Sequence, residues 1–394
     1  MALAAAPDAA HHSPATAGTV ALVGPDVGPD VESEEWQATL RHQGQPYVLV
    51  TLPAEALARG AVGDRAPSVV HRGLRSTARC LHAHKVTAIV PGSARGVELA
   101  DQLAEQLGLP GNDPSTSELR RDRGAQAAAW ARAGLPSART QPTTSLPAAL
   151  RWARFVALPE LVVSPADTAV CVPARVCRAH TDLGLAWTHM RRAAHHRGGS
   201  RQVVLQERVP GRQYTVRATT ADGQHTVTEI WSLTHTPEGL LDRSDLQPDS
   251  GLLHRSLSHL AGQALTALGV RHGAMRIRMA YHPERGPVLL SARCDVTPTH
   301  PRPTTRLHTT RVALNAPADG VLNRRLLRAL LALPTVNQIT GDLHPGAVVT
   351  QTTNRNTSPG QIELVGGPAA VETDYQAIRR FEARGLYAQF GEAL

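Results

Sequence analysis

Leu205-Gln206-Glu207-Arg208-Val209-Pro210-Gly211-Arg212-Gln213-Tyr214-Thr215-Val216 reads as two extended segments joined through a Pro-Gly turn. The run that enters it, Val203 to Glu207, is short and apolar, as a buried strand should be. Beyond it, Tyr214 to Thr220 and Thr226 to Leu233 flank Asp222-Gly223, a dipeptide that tolerates the positive φ of a hairpin turn. Further out, Leu253, Leu257, Leu260, Ala264 and Leu268 form the apolar stripe of a long helix. Met275, Ile277, Met279 and Tyr281 then alternate with Arg276 and Arg278, and a period of two places both arginines on one sheet face. Pro283 to Gly286 turns the chain into Val288-Leu289-Leu290.

Upstream of the opening stretch, a helix runs from about Glu118 and is closed by Gly134 and Pro136, and Ser145 caps another through Phe155. Two strands are expected at Leu161-Val162-Val163 and from Ala169 to Val176, followed by a helix capped by Thr181 that ends in the polar stretch from Arg191 to Ser200. The first hundred residues have a different rhythm. Val20 to Val23, Pro46 to Val50 and Val86 to Val90 are short apolar runs; after the third, Val97, Ala100, Ala104 and Leu107 share a helix face that Gly108 ends. Strands alternating with helices predict a small parallel α/β unit to about Asn112. Downstream of Asp295 a Pro/Thr-rich loop precedes a helix from Leu322 to Leu333 and a last helix near Asp374 to Leu386.

The 394 residues exceed what one ordinary core fills, so two or three packed units are expected. Net charge is +8, and 40 of the 41 basic side chains are arginine; Lys85 is the only lysine. No glycine run precedes Lys85 and no Ser or Thr follows it, which excludes a Walker A loop. Aromatic residues make up 3% of the chain, too few for a base-stacking surface, so nucleic acid is not the expected partner. Cys80, Cys171, Cys177 and Cys294 form no CxxC pair, which suits a reducing compartment. Residues 1–18 are Ala-rich without a basic leader and are read as a disordered tail. No apolar run reaches the ~18 residues of a membrane helix, so a cytoplasmic protein without membrane contact is expected.

Several segments, taken in order, resemble the ATP-grasp carboxylate–amine ligases. Pro91-Gly92-Ser93-Ala94-Arg95-Gly96-Val97-Glu98-Leu99-Ala100-Asp101, with Leu107-Gly108-Leu109-Pro110-Gly111-Asn112, resembles the strand-turn-helix near the end of that family's first domain. Arg121-Asp122-Arg123 followed by Ala133-Gly134-Leu135-Pro136 is similar to the start of its nucleotide-binding domain. The stretch from Leu205 to Val216 resembles its hinge, and Leu268-Gly269-Val270-Arg271-His272-Gly273-Ala274 through Val288-Leu289 resembles its closing active-site hairpin. Together these span about residues 20 to 300. The resemblance implies a tail at 1–18, a Rossmann-like domain at 19–112, and an ATP-grasp fold at 113–315. That fold has two α+β lobes, about 113–204 and 205–315, and a C-terminal segment, 316–394, packs on it. It also implies ATP, held by the hinge backbone at Gln206, Glu207 and Val209. The expected chemistry makes an acyl-phosphate from a carboxylate, which an amine then attacks.

That chemistry requires cations on the phosphates, a Gly-rich loop whose N–H groups approach them, and carboxylates for Mg²⁺. The family's first phosphate lysine falls at Arg123, which keeps the charge with a different shape. The second falls at Ser164, in Val162-Val163-Ser164-Pro165, where no cation remains. The glycine loop falls at Asp167-Thr168-Ala169-Val170-Cys171-Val172-Pro173, which contains no glycine and a proline that lacks an N–H. The first metal-binding glutamate aligns with Arg278 and the second with Ser291; the family's Asn and Arg align with Arg293 and Asp295, or a one-residue gap pairs Arg293 with that Arg. Either way Leu289 to Asp295 offers no glutamate, and Mg²⁺ is left without its expected ligands. No metal site is therefore assigned.

The reading that follows is a catalytically impaired ligase-like protein with a structural or regulatory role, partnering an active ligase or a second copy of itself. Arg276 and Arg278 would be phosphate or carboxylate contacts and Arg123 a nucleotide contact. The alternative is an active C–N bond-forming ligase whose metal ligands have moved to Asp167, Glu229 and Asp295. A third is an arginine-rich binder of anions or nucleic acid, with Arg120, Arg121, Arg123, Arg191, Arg192 and Arg197 as a rim. Smaller constellations were weighed too. Cys80, His82 and His84 would share a face if their segment were a strand, but spacing supplies no fourth ligand. His11-His12 and His195-His196 sit in polar stretches, and Cys171 and Cys177 suit packing roles. Gly92-Ser93-Ala94-Arg95-Gly96 lacks a nucleophile elbow's central serine.

Overall fold

The structure is a computed structural model that describes residues 18–24, 37, 40–41, 44–53, 67–170, 172–196, 200–295, 307–354 and 357–388. The expected N-terminal tail apart from Gly18, the Pro/Thr-rich loop after Asp295, His11-His12 and Cys171 lie outside the described residues.

Strand β1 (Thr19–Val23) is apolar throughout and lies between β2 (Tyr47–Thr51) and β4 (Val86–Pro91), both parallel to it; β3 (Ser68–Val70) extends the sheet beyond β2. The strand order β3-β2-β1-β4 is Rossmann-like, and helices α1 (Leu74–Ala83) and α2 (Val97–Leu107) contribute Ala78, Leu81, Ala100 and Leu103 to its core. Gly108 ends α2 in the left-handed conformation, as its position predicts. Cys80 and His82 belong to α1, and His84 caps its end, which corrects the expected strand. At 100° per residue His82 points away from the side shared by Cys80 and His84, so the three do not converge. Ser93 is buried, caps the turn before α2 and donates to the Gly24 carbonyl at 2.6 Å, a structural task.

The helix expected from Glu118 is two helices, α3 (Ser117–Arg121) and α4 (Arg123–Arg132). They separate at Asp122, whose backbone is extended and whose carboxylate accepts from the Ala125 N–H at 2.9 Å: it is an N-cap and so begins a new helix. Next come β5 (Thr140–Thr143), α5 (Leu146–Val156, capped by Ser145), β6 (Glu160–Pro165), β7 (Arg175–Arg178), α6 (Ala179–His196) and β8 (Val203–Glu207). The four strands form an antiparallel sheet in the order β5-β8-β6-β7, with α5 and α6 on one face over Leu161, Val163, Cys177 and Leu205. The strand expected over Ala169 to Val176 starts only at Arg175, because Pro173 cannot donate to a ladder. Thr181 lies within α6, which starts at Ala179.

Strands β9 (Arg212–Ala221) and β10 (Gln224–His235) form the expected hairpin at Asp222-Gly223, both with positive φ, and β11 (Leu241–Leu246) follows. Helix α7 (Gly251–Ala267) leads to β12 (Gly273–His282) and β13 (Gly286–Cys294). The chain then adds β14 (His308–Ala313), β15 (Gly320–Leu322), α8 (Arg324–Leu331), β16 (Val336–Gly341), β17 (Val348–Val349), β18 (Gly360–Gly366), α9 (Pro368–Ala383) and β19 (Tyr387–Ala388). One eight-stranded sheet results, ordered β13-β12-β9-β10-β11-β14-β18-β16, so the C-terminal segment continues the central sheet. Its apolar face packs Val216, Ile230, Ile277 and Met279 under Leu257, Leu260 and Leu265 of α7 and Trp130 of α4. Helix α8 begins two residues later than its apolar run because Asn323 caps it.

Gly211 lies between β8 and β9. At φ +108° a Cβ there would sit 2.1 Å from the Tyr281 carbonyl oxygen of β12, whereas Gly286, at φ +68°, faces open space. Gly211→Ala is therefore expected to destabilise the protein by about 2–4 kcal/mol and Gly286→Ala by about 1 kcal/mol, measured by urea denaturation. Equal effects would refute the close approach.

Candidate functional site in the groove between two sheets

The uncovered face of the β5-β8-β6-β7 sheet carries Val162 and its cross-strand partners Val176 and Gln206. The uncovered face of the central sheet carries a row of arginines: Arg276 of β12 lies directly opposite Arg217 of β9 on one side and Arg293 of β13 on the other. Arg278, two residues on, projects from the same face and is exposed. One contact ties the sheets together beside this groove, and a second ties the start of α4 to β6. Gln206 Nε2 donates to the Leu290 carbonyl at 2.8 Å, and Arg123 Nη1 donates to the Pro165 carbonyl, at the end of β6, at 2.6 Å.

The hinge residues have separate tasks. Val209 is buried with Ala138, Ala280 and Val288, so its side chain is packing. The Glu207 carboxylate accepts from the Arg139 N–H at 3.1 Å and from Arg285 Nη1 at 2.7 Å. Burial pushes its pKa up, but these bonds and charges outweigh burial and hold it below the usual range. Glu207 is thus a clamp between the strand leading into β5, the end of β8 and the β12–β13 turn. Only the backbone of the hinge and the Val162–Val176 surface are left to meet a planar ring.

The phosphate side of the groove is built differently from what a ligase needs. Arg278 lies directly opposite Ser291 across β12 and β13. These are the two positions that the resemblance assigns to metal carboxylates, and one is a cation while the other is a neutral hydroxyl. Arg278 donates to Gln213 Oε1 at 2.8 Å. Crowding by the groove walls, and then the charge of Arg293, push its pKa down although its surface stays open to solvent. Arg123 is pushed down to about 10, first by desolvation and then by Arg293 and Arg278, so the three guanidiniums lie within one another's field. Arg123 therefore remains charged at neutral pH.

The loop at the glycine-loop position is closed on itself. The Thr168 N–H donates to Arg121 O at 2.8 Å, Ala169 N–H to Asp167 Oδ1 at 2.9 Å, Val170 N–H to Asp167 O at 3.2 Å, and Val172 N–H to Val170 O at 2.8 Å. Ala169 and Val170 are buried. The N–H groups of Thr168, Ala169, Val170 and Val172 are therefore spent inside the protein.

The three carboxylates considered as moved metal ligands are engaged by arginines. Asp167 meets Arg121 at 3.3 Å. Glu229 accepts from Arg217 at 3.0 Å and from Trp231 Nε1 at 2.8 Å, and Asp295 takes Arg217 at 2.5 Å and Arg276 at 2.8 Å. Among the described residues, no group of three or more His, Cys, Asp or Glu side chains is placed to hold a metal ion. Mg²⁺ does not fit this donor set, and no chemical step is derived through it. Sequence patterning placed Arg276 and Arg278 on one face and singled out Glu229 and Asp295 as possible metal ligands, but missed Arg217, the cation the two carboxylates share from distant points in the chain.

Burial raises the pKa of Glu229, yet Arg217, Trp231 and Arg311 outweigh it and the net direction is down. A carboxyl held below its unfolded value near 4.5 contributes stability that is complete above that value and is lost as pH falls through the folded value. Glu207 and Glu229 thus predict acid-side loss of stability, and Glu207→Gln should flatten that slope in pH-dependent urea melts. Arg217→Met, which leaves buried Glu229 without its bonded cation and Asp295 with Arg276 alone, is expected to cost about 3–5 kcal/mol at pH 7.

No family model matches the chain, and no curated protein sequence matches it. Solved structures do. The chain is similar to an L-amino acid ligase from Bacillus licheniformis, 13% identical, covering 92% of this chain and 97% of that one with a TM-score of 0.70. It is similar to a carboxyaminoimidazole ribonucleotide synthase from Aspergillus clavatus complexed with ATP, 10% identical, with coverage of 93% and 98% and a TM-score of 0.67. The biotin carboxylase domain of a Hydrogenobacter thermophilus 2-oxoglutarate carboxylase, in complex with MgADP, ADP and bicarbonate, is 13% identical, with coverage of 91% and 89% and a TM-score of 0.61. Among the described residues no helix is long and apolar enough to cross a membrane. The chain therefore shares the fold of these solved structures over more than nine-tenths of its length.

Proposed function

We propose that this chain is an ATP-grasp protein that has lost the metal-dependent ligase step and acts as a structural or regulatory partner, of an active ligase or of a second copy of itself. The observation that carries the reading is the β12–β13 pair Arg278–Ser291. A phosphoryl-transfer site places carboxylates where Mg²⁺ must bridge phosphate oxygens; here a guanidinium would repel the ion. The closed loop at Thr168 to Val172 and the cation-free Ser164 support the same reading independently. ATP-grasp neighbours crystallised with ATP or ADP support a nucleotide in the groove, its base against the hinge backbone and the Val162–Val176 surface. A bound nucleotide would supply a phosphoryl group, but the chain's own residues would only hold it. The cytoplasm is the proposed location.

Phosphate release from Mg-ATP, assayed with each of the common amino acids present, is expected to stay at the protein-free rate. Turnover that Arg123→Ala or Arg278→Ala abolishes would overturn the reading.

A further inference from the structure

We propose that the groove binds a phosphate chain in its metal-free form, through Arg123, Arg278 and Arg293, so that Mg²⁺ opposes binding instead of supporting it. This deepens the reading above, on which it rests, by naming the ligand's charge state.

The placement of charge carries the argument. Arg293 and Arg278 are diagonal neighbours on adjacent strands of one face, and Arg123, the first residue of α4, lies beside the end of β6, where it donates to the Pro165 carbonyl. Diagonal cross-strand neighbours are about 7–8 Å apart, so the guanidiniums offer their forks over a distance that a chain of linked phosphates covers. Deeper in the row, Arg217 and Arg276 bring two further positive charges. Glu229 and Asp295 offset these, because both carboxylates are bonded to Arg217 or Arg276. At the outer end, no carboxylate among the described residues forms an ion pair with Arg123 or Arg278. Asp167 and Asp122 add only a partial field at Arg123. The groove therefore has an excess of positive charge at its solvent-open end, where Arg278 is exposed.

A free triphosphate brings about four negative charges to this end. A Mg²⁺ complex brings two fewer, and also sets a hard cation beside three guanidiniums, with the neutral oxygens of Ser291 and Gln213 next to Arg278 in place of carboxylates. Both effects have the same sign. Bidentate guanidinium–phosphate pairs do not need the ion, because the forks match pairs of phosphate oxygens directly.

The test is titration calorimetry with tripolyphosphate, ATP, adenosine and citrate, each in EDTA and again in excess Mg²⁺. Tripolyphosphate and ATP are expected to bind in EDTA, with the apparent Kd rising at least about tenfold in Mg²⁺. Arg278→Ala and Arg293→Ala should each weaken tripolyphosphate by about tenfold or more. Arg278→Lys should recover part of the affinity, and Arg328→Ala, on the exposed side of α8, should change nothing. Thermal melts of each variant confirm folding. Tighter binding in Mg²⁺, citrate binding as strongly as tripolyphosphate, or indifference to Arg278→Ala and Arg293→Ala would overturn the proposal. Absence of phosphate-chain binding would overturn it too, while leaving the loss of ligase chemistry standing. Mg-ATP turnover would bring down both.

Discussion

Arg217 is held between Glu229 of β10 and Asp295 at the end of β13, and Asp295 in turn holds Arg276. Charges this deeply buried are tolerated only when each has its partner, so the four side chains stand or fall as a set. The set spans four neighbouring strands, β13, β12, β9 and β10, and fixes the polar face of the central sheet. Trp231 donates to Glu229 and carries Arg311 4.1 Å above its ring, which extends the same order towards β14 and Glu363 of β18. Once guanidiniums neutralise the buried carboxylates from within, an external cation has nothing to add. The electrostatic state of the groove follows from that choice.

The other side of the groove is likewise satisfied by internal contacts. Asp167 folds the segment after β6 over its own N–H groups, and Arg121 and Arg123 anchor it through a carboxylate and a carbonyl. A loop satisfied in this way gains nothing from a phosphate. The hinge follows suit: Glu207 is committed to Arg139 and Arg285, which lock the junction of the two lobes.

Much of this was legible in the chain itself. The hinge stretch, the Asp222-Gly223 turn and the alternation around Arg276 and Arg278 are local patterns, and the fold carries them as read. Misreadings came where one side chain competes with periodicity. Asp122 splits a helix by capping its second half, Pro173 delays a strand, and the alternating Cys80, His82 and His84 belong to a helix whose apolar spacing was masked by polar residues. The C-terminal strands are short and of mixed polarity, so only their long-range pairing identifies them. Within the site, Arg278 and Ser291 were found through the resemblance. Arg217 was not, because its partners Glu229 and Asp295 lie 12 and 78 residues away and no motif links them.

The course of β18 has a consequence for how the molecule is made. β18 is inserted between β14 and β16, although it is translated after both. Until residues 360–366 leave the ribosome, β14 presents an unpaired hydrogen-bonding edge to the cell. Closing that edge joins residues far apart in sequence, a slow kind of step. A chain truncated after β14 would keep every residue of the groove and still leave its sheet open to association with other chains. The final fifth of the polypeptide protects the rest of the molecule during its own synthesis.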